Sequence, residues 1–424
     1  MGALSAHLGR GEPGPASPGA AGGGEPPSER QGPPRGLPRG EAAHVVSLPG
    51  DGVGPEVTGV ALGVLSTVCA EAGIDLQVEE RLVGGRAIDE TGVPLPAPTL
   101  DACRGADAVL LGAVGGPKWD HLRGALRCEA GLLGLRRGMG VFANLRPVRV
   151  HPRLIEHTTI RPEVVRGTDM VIVRELTGGA YFGEPRGRSG SGPEEIARDS
   201  TVYTAAEIER VARIAFDLAA GRRRHLTSVD KANVLITSQL WRDTVTRLAA
   251  EYPAVTLEHQ LVDSFAMRLV QRPAGVDVVV TENLFGDILS DEAAAISGSL
   301  GLMASASLNP DGGPALYEPI HGTAPDIAGR GIANPVGSIL SVALFFEHSL
   351  RLPEVAAEIR TAVDAALDAG ARTPDLGGTS STGEMTAAVL DAMSQAPPAW
   401  RGEASPSEGS GVPVGPLPDG EARA

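Results

Sequence analysis

The sequence predicts an α/β fold whose strands are substantially parallel. Three observations carry the prediction. Short apolar runs of strand length recur along the chain, segments with a helical apolar period lie between them, and the first run passes through a glycine-rich turn straight into the first such segment. Alternation of this kind covers a sheet with helices on its faces.

The elements follow in order. His44 to Leu48 reads as the first strand, and Pro49-Gly50-Asp51-Gly52-Val53-Gly54-Pro55 as the turn. Val57, Val60, Ala61, Val64, Leu65 and Val68 then fall at i, i+3, i+4, i+7, i+8 and i+11, and Pro55 suits a first helical position. Ala108 to Leu111, Val171 to Val173 and Val276 to Val280 read as buried strands. Glu207 to Ala219 is helical, with Ile208, Val211, Ala215 and Leu218 on one stripe. Arg186 to Pro193, rich in Gly and Ser, is expected to be a surface loop or hairpin tip. No internal repeat or heptad run is visible. The turn is not a standard Rossmann turn, because the dinucleotide fingerprint needs a third glycine where Pro55 stands. A Walker sequence is also absent, since Lys118 follows Pro117 and Lys231 follows Asp230.

Length and composition bound the rest. The 424 residues leave room for two domains. Roughly half of positions 1–40 are Gly or Pro, and 396–424 are similarly rich in Gly, Pro, Ser and Glu, so both ends are expected to be disordered tails. With aromatics at only 3%, the core must be built mainly from Leu, Val, Ile and Ala. A net charge of −15 disfavours nucleic acid and anionic membrane surfaces as partners. Cys69, Cys103 and Cys128 have neither disulfide parity nor zinc-site spacing. No apolar run has the length of a membrane span or a signal peptide, and a cytoplasmic location is expected.

Four constellations carry possible chemistry. Asp287 and Asp291 lie four apart at the start of a helical stretch and so share a face, with Asp263 upstream. Hard oxygen donors suit Mg2+ or Mn2+, although acids at a helix start also complement its dipole. Arg136, Arg146 and Arg174 sit in apolar or small-residue surroundings, where a guanidinium meets either a substrate carboxylate or an internal acid. Lys231, one of only two lysines in a chain whose default cation is arginine, and Tyr181, one of four tyrosines, have the chemistry of a general base and acid. An amine can lose its proton near neutral pH where a guanidinium cannot, and a nearby cation would lower both pKa values. Finally, His321 to Pro335 forms a loop of small residues that a flat ligand can approach closely.

Six motifs occur in one order: Pro49 to Glu56, Gly115 to Asp120, Arg174 to Gly183, Ser228 to Asn233, Phe285 to Asp291 and the His321 to Pro335 loop. Together they resemble the β-decarboxylating dehydrogenases, which act on isocitrate, isopropylmalate and their relatives. The resemblance covers essentially the whole folded region. It implies two α/β domains sharing one large mixed sheet: a discontinuous cofactor-side domain over 41–141 and 298–395, and a dimer-forming domain carrying substrate and metal residues over 142–297. The cleft between them would hold the site.

Carried over by motif, Arg136, Arg146 and Arg174 would bind substrate carboxylates. Asp263, Asp287 and Asp291 would hold the divalent cation, with Asp263 also near the substrate, and Tyr181 and Lys231 would form the acid–base pair. Lys231 and Asp263 are expected to reach in from the second copy of a homodimer. Leu132 and Leu133 stand where isocitrate-type relatives carry small polar residues, and with Val234 from the second copy they offer an alkyl group a dry wall. That favours 3-isopropylmalate, oxidised and decarboxylated to 4-methyl-2-oxopentanoate and CO2 in leucine biosynthesis, over isocitrate, tartrate or another alkylmalate; burying an isopropyl group is worth about 0.8 kcal/mol per CH2. Asp326 and Ile327 occupy the place of a Lys-Tyr pair in NADP-using relatives. A carboxylate there accepts from a ribose diol and repels a 2′-phosphate, so NAD is expected. Asn334, His321 and Gly322 would line the adenine-side loop, and Glu318 the nicotinamide ribose. Glu282 departs from the small residue usual in the family, and its charge is expected to bear on metal affinity. A catalytically silent scaffold is disfavoured because every acid, base and arginine position is filled.

Overall fold

The structure is a computed structural model that describes residues 42–309 and 312–395. The expected tails, 1–40 and 396–424, lie outside the described residues. The strands are β1 (Ala42–Gly50), β2 (Asp75–Glu80), β3 (Ala108–Ala113), β4 (Ala143–Arg149), β5 (Asp169–Glu175), β6 (Gly183–Ser189), β7 (Ile196–Ser200), β8 (His225–Asp230), β9 (Thr256–Leu261), β10 (Val278–Thr281), β11 (Ala304–Leu308) and β12 (Ala315–Pro319). The helices are α1 (Gly54–Ala72), α2 (Gly84–Thr91), α3 (Ala97–Gly105), α4 (Cys128–Met139), α5 (Pro162–Val165) and α6 (Ala205–Gly221). They continue with α7 (Ile236–Ala249), α8 (Val262–Gln271), α9 (Asn283–Ser297), α10 (Val336–His348), α11 (Pro353–Asp368) and α12 (Thr382–Gln395).

Ten strands form one sheet in the order β2-β1-β3-β12-β11-β4-β5-β10-β8-β9. Both wings are parallel, as the alternation of apolar runs and helices requires. At the centre the direction changes: β11 is antiparallel to β12 and β4, and β4 is antiparallel to β5. The sheet is therefore mixed, as the resemblance implies, with the parallel strands that the alternation of runs and helices predicts confined to its wings. The remaining strands, β6 and β7, form a separate antiparallel hairpin; of the Arg186 to Pro193 stretch expected at a surface loop or tip, 186–189 end β6 and only 190–193 lie in the connection to β7. Strand β10 begins two residues later than the apolar run suggests, because the Val276 N–H closes a turn onto Pro273 O at 3.0 Å.

Helices cover both faces of each wing. On one wing Val64, Leu110, Tyr317, Ile339 and Phe346 pack between α1, α10, α11 and the sheet, and Val46, Leu111 and Leu135 fill the opposite face. On the other, Val173, Ile208, Phe216 and Val280 pack beneath α6, and Ile172, Phe265, Val279 and Leu289 beneath α8 and α9. Strand alternation decides what each face carries: in β4, Leu145 points into an apolar core while its neighbours Asn144 and Arg146 turn to the other side. Among the described residues no helix is long and apolar enough to cross a membrane.

The turn after β1 needs its glycines. Gly50 has φ +69°, and a Cβ there would lie 1.9 Å from Ala113 O. Asp51, buried within the same turn, accepts from the backbone N–H groups of Gly85, Arg86 and Gly115 at 2.7–2.8 Å. One carboxylate thus joins the first turn, the start of α2 and the loop leading to α4. The second lysine, Lys118, donates to Asp89 at 2.5 Å beside the Trp119 N–H, a bracing contact for that loop.

Candidate active site

Three arginines and two aspartates meet where the central strands face α9. Arg146 projects from β4 with its Nε donating to Asn144 Oδ1 at 2.6 Å and its Nη1 to Ser290 Oγ at 2.5 Å. It lies 3.8 Å from both Asp287 and Asp291, which sit one helical turn apart on α9. Arg174, from the adjacent β5, gives Nη1 to Asp287 Oδ1 and both Nε and Nη2 to Asn283 Oδ1, at 3.0 and 2.8 Å. The stem of Arg174 lies against α9 because position 286 is glycine; a Cβ there would stand 2.7 Å from Arg174 Cγ. Tyr181, from the turn after β5, donates its hydroxyl to Asp287 Oδ2 at 2.6 Å. Arg136 reaches in from α4 and pairs with Glu318 at the end of β12, 2.6 Å apart and both buried. Removing either partner would strand a buried charge, at a cost of about 3–5 kcal/mol.

Burial and charge shape the titrating groups. Burial pushes the Arg146 guanidinium down to about 9, and Arg174 adds to that repulsion. Burial alone would raise the Asp287 carboxyl, but Arg174, the Tyr181 hydroxyl and Arg146 outweigh it and hold the group below its ordinary value. Asp291 moves the other way, raised chiefly by burial. Tyr181 is pushed up to about 12 by burial and by the Asp287 carboxylate. Within the chain Arg174 and Arg146 pull its pKa downward, but burial and the accepting carboxylate dominate. A phenol in this state keeps its proton at neutral pH and is equipped to donate it.

Lys231 and Asp263 stand together and apart from this cluster. Lys231 follows β8, Asp263 opens α8, and their side chains meet at 2.7 Å, with the lysine holding the Asp263 carboxyl below its usual range. Val234, Ile236, Met267 and Ile288 are exposed apolar side chains on and beside α7, α8 and α9. Among the described residues no three His, Cys, Asp or Glu side chains converge as a cation site within one chain.

The loop from Ile320 to Pro335 docks on the first turn. Val53 N–H donates to Thr323 O at 2.9 Å, and a Cβ at Gly52 would fall 2.1 Å from that oxygen. His321 uses Nδ1 against Gly322 O at 2.9 Å, while its Nε2 is buried with no hydrogen-bond partner. Asp326 and Gly322 are exposed and Ile327 packs partly against Val53 and Val57. Asn334 is committed within the chain: its Oδ1 caps Val336 N–H and its Nδ2 donates to Asp375. Leu132 and Leu133, both half-buried, lie on α4 within one turn of Arg136.

With this geometry established, residues 44–389 match the model of the isocitrate/isopropylmalate dehydrogenase family. The chain belongs to that family. It is 54% identical to 3-isopropylmalate dehydrogenase of Halalkalibacterium halodurans over 83% of this chain and 97% of the relative. It is 56% identical to the enzyme of the same name from Anaeromyxobacter dehalogenans over 82% and 98%. Among solved structures, isocitrate dehydrogenase from Methylococcus capsulatus superposes with a TM-score of 0.73 at 35% identity, covering 83% of this chain and 99% of that one.

In this member of the family several residues organise the cluster without having stood out in the sequence. Asn144 and Ser290 hold Arg146, and Asn283 holds Arg174. Glu175 accepts from Thr177 N–H, Thr177 Oγ1 and Gly178 N–H at 2.6–2.8 Å, and so fixes the turn that carries Tyr181. The available signal was adjacency: Asn283 stands two residues before the Phe285 to Asp291 motif and Ser290 lies within it. Glu282, whose charge is expected to bear on metal affinity, is buried just before the first residue of α9, where burial and then Glu175 and Asp230 push its carboxyl up to about 7.

Proposed function

We propose that the protein oxidises and decarboxylates 3-isopropylmalate with NAD, giving 4-methyl-2-oxopentanoate, CO2 and NADH, as a cytoplasmic homodimer with sites shared between its two copies. The observation that carries the reading is the convergence of Arg136, Arg146 and Arg174 on a cleft whose α4 wall presents Leu132 and Leu133. Cationic forks for two carboxylates beside an apolar wall suit a malate bearing an alkyl group, and the names of the relatives point the same way. A third carboxylate at the leucines would be desolvated without a partner.

The donor set fits a divalent cation: two carboxylates on one face of α9 and, from a second copy, Asp263 as a third hard oxygen ligand. Mg2+ or Mn2+ held there would supply Lewis-acid polarisation of the substrate oxygens. The buried, unpartnered His321 Nε2 and the exposed Asp326 fit a dinucleotide along the 321–335 loop, with Gly322, Ile327 and Asn334 beside it and Glu318 toward its nicotinamide end.

The chain's own residues then have distinct tasks. Arg146 and Arg174 orient the substrate by exchanging part of their present contact with Asp287 and Asp291 for substrate carboxylate. Arg136, braced by Glu318, holds the same substrate from the α4 side. Lys231 of the second copy accepts the C2 hydroxyl proton as oxidation proceeds. Tyr181, protonated at neutral pH, returns a proton to the carbon that loses CO2. The exposed apolar positions Val234, Ile236, Met267 and Ile288 would be covered in the dimer, where Val234 completes the alkyl pocket. The two bodies would comprise 41–141 with 298–395, and 142–297.

The test is a panel of 3-isopropylmalate, isocitrate and tartrate, each with NAD and NADP and with Mg2+ present, read as kcat/KM from NADH or NADPH absorbance. The expected result is isopropylmalate with NAD far ahead. Isocitrate or tartrate in first place overturns the substrate, and no turnover at all from a dimer that binds NAD overturns the enzyme reading.

A further inference from the structure

We propose that Asn283 is a positioning residue for the reaction: its single side-chain amide sets the orientation of Arg174 and ties it to the turn that carries Tyr181, without adding a second carboxylate to the Asp287 that Arg174 already meets. The inference rests on the reading that Arg174 binds a substrate carboxylate.

The geometry is specific. Asn283 is the first residue of α9 and is 1% exposed. Its Oδ1 accepts from Arg174 Nε at 3.0 Å and Nη2 at 2.8 Å, which locks one edge of a planar guanidinium. Its Nδ2 donates to Gly178 O at 3.2 Å, one residue before the Gly179–Tyr181 turn. The two contacts fix the amide's sense, because a flipped amide would set N–H groups against the guanidinium N–H groups and an oxygen against the carbonyl. The backbone is seated as well: Asn283 N–H donates to the Tyr203 hydroxyl at 3.0 Å, and the Tyr203 ring lies so close to Gly178 that a Cβ there would be 2.5 Å from it. One turn along α9, Asp287 meets both Arg174 and the Tyr181 hydroxyl. Arg174, Asn283, the Gly178 to Tyr181 turn and Asp287 thus close a ring of contacts.

Neutrality is what distinguishes asparagine from the acid of the same shape. An aspartate at 283 would grip the same Arg174 edge, but its charge would compete with the substrate carboxylate for that guanidinium, and it would lose the donor to Gly178 O. It would also bring a third acid to a buried neighbourhood that already holds Glu175 and Glu282.

The test uses Asn283→Asp and Asn283→Ala in the full-length dimer, each alone and combined with Arg174→Lys, with thermal melts and NAD binding as controls. Each single Asn283 variant is expected to raise KM for 3-isopropylmalate at least about tenfold while KM for NAD stays within about twofold. In the Arg174→Lys background the same substitutions should add less than about twofold, because the interaction is already gone. Equal effects in both backgrounds, or a rise in both KM values together, would show a general structural role and overturn the inference. If Asn283→Ala fails to fold, the near-isosteric Asn283→Asp carries the test. The parental protein, run alongside, separates the two readings: inactivity on isopropylmalate sinks the proposed function, whereas a normal parent with normal Asn283 variants sinks only this inference.

Discussion

The Tyr181 hydroxyl donates to one oxygen of Asp287 at 2.6 Å, while the other oxygen of the same carboxylate receives Arg174. One acid therefore stands between the proposed proton donor and a proposed substrate arginine, and it lies on the helix face that it shares with Asp291. Tyr181 is held protonated through this contact, since burial and Asp287 together push it up to about 12.

Tyr181→Phe removes the proton and little else, because the ring keeps its place over Arg174, 5.6 Å from the guanidinium carbon. The expected result is a fall in kcat of about 10²–10⁴ with substrate affinity nearly unchanged, the range typical of losing a general acid. Steady-state NADH formation together with a direct substrate Kd checks it. A KM that rises as steeply as kcat falls would assign Tyr181 to binding instead.

Lys231 and Asp263 pair with each other and not with the Asp287 cluster, which is the arrangement a shared site requires. Lys231→Arg and Tyr181→Phe dimers should each be nearly inactive. Mixing and reassociating them in equal amounts should restore about one quarter of parental activity, because half the dimers are hybrids and each hybrid holds one intact site. If both residues served the same site from one chain, every site would keep a defect and mixing would restore nothing.

Asp326 is exposed on the loop that docks through Thr323 onto the first turn, free to meet a ribose. Replacing Asp326 by Lys and Ile327 by Tyr should move the preference from NAD toward NADP by about 10²-fold or more, since a repulsive carboxylate becomes an attractive cation. The ratio of kcat/KM values for the two cofactors is the measurement; an unchanged ratio counts against a ribose contact at 326.

Residue chemistry made half of this site legible before any fold was known. Arg136, Arg146, Arg174, Tyr181, Asp287 and Asp291 were marked by type and surroundings, and they do converge. The supporting shell was not marked, because Asn283 acquires its meaning only when β5 and α9, 109 residues apart in the chain, are side by side. Periodicity alone does not reveal the antiparallel centre of the sheet, since a run such as Val171 to Val173 has the same period whichever way its neighbour runs; the mixed sheet was expected only from the family resemblance.

Glu282 carries the last prediction, on stability. Burial, then Glu175 and Asp230, push its carboxyl up to about 7 from an ordinary value of 4.5. Because the folded pKa is raised, the folded protein holds this proton more tightly than the unfolded chain does. The resulting stabilisation is complete below about pH 4.5 and is lost as pH rises through about 7, up to about 3 kcal/mol in all. Glu282→Gln cannot ionise, so its stability relative to the parent should improve steadily between pH 5 and 8. Denaturant unfolding of both proteins at several pH values in that window tests this directly. Parallel curves would mean that Glu282 enters the folded state already ionised and compensated, and that its burial among Glu175 and Asp230 costs the fold nothing at neutral pH.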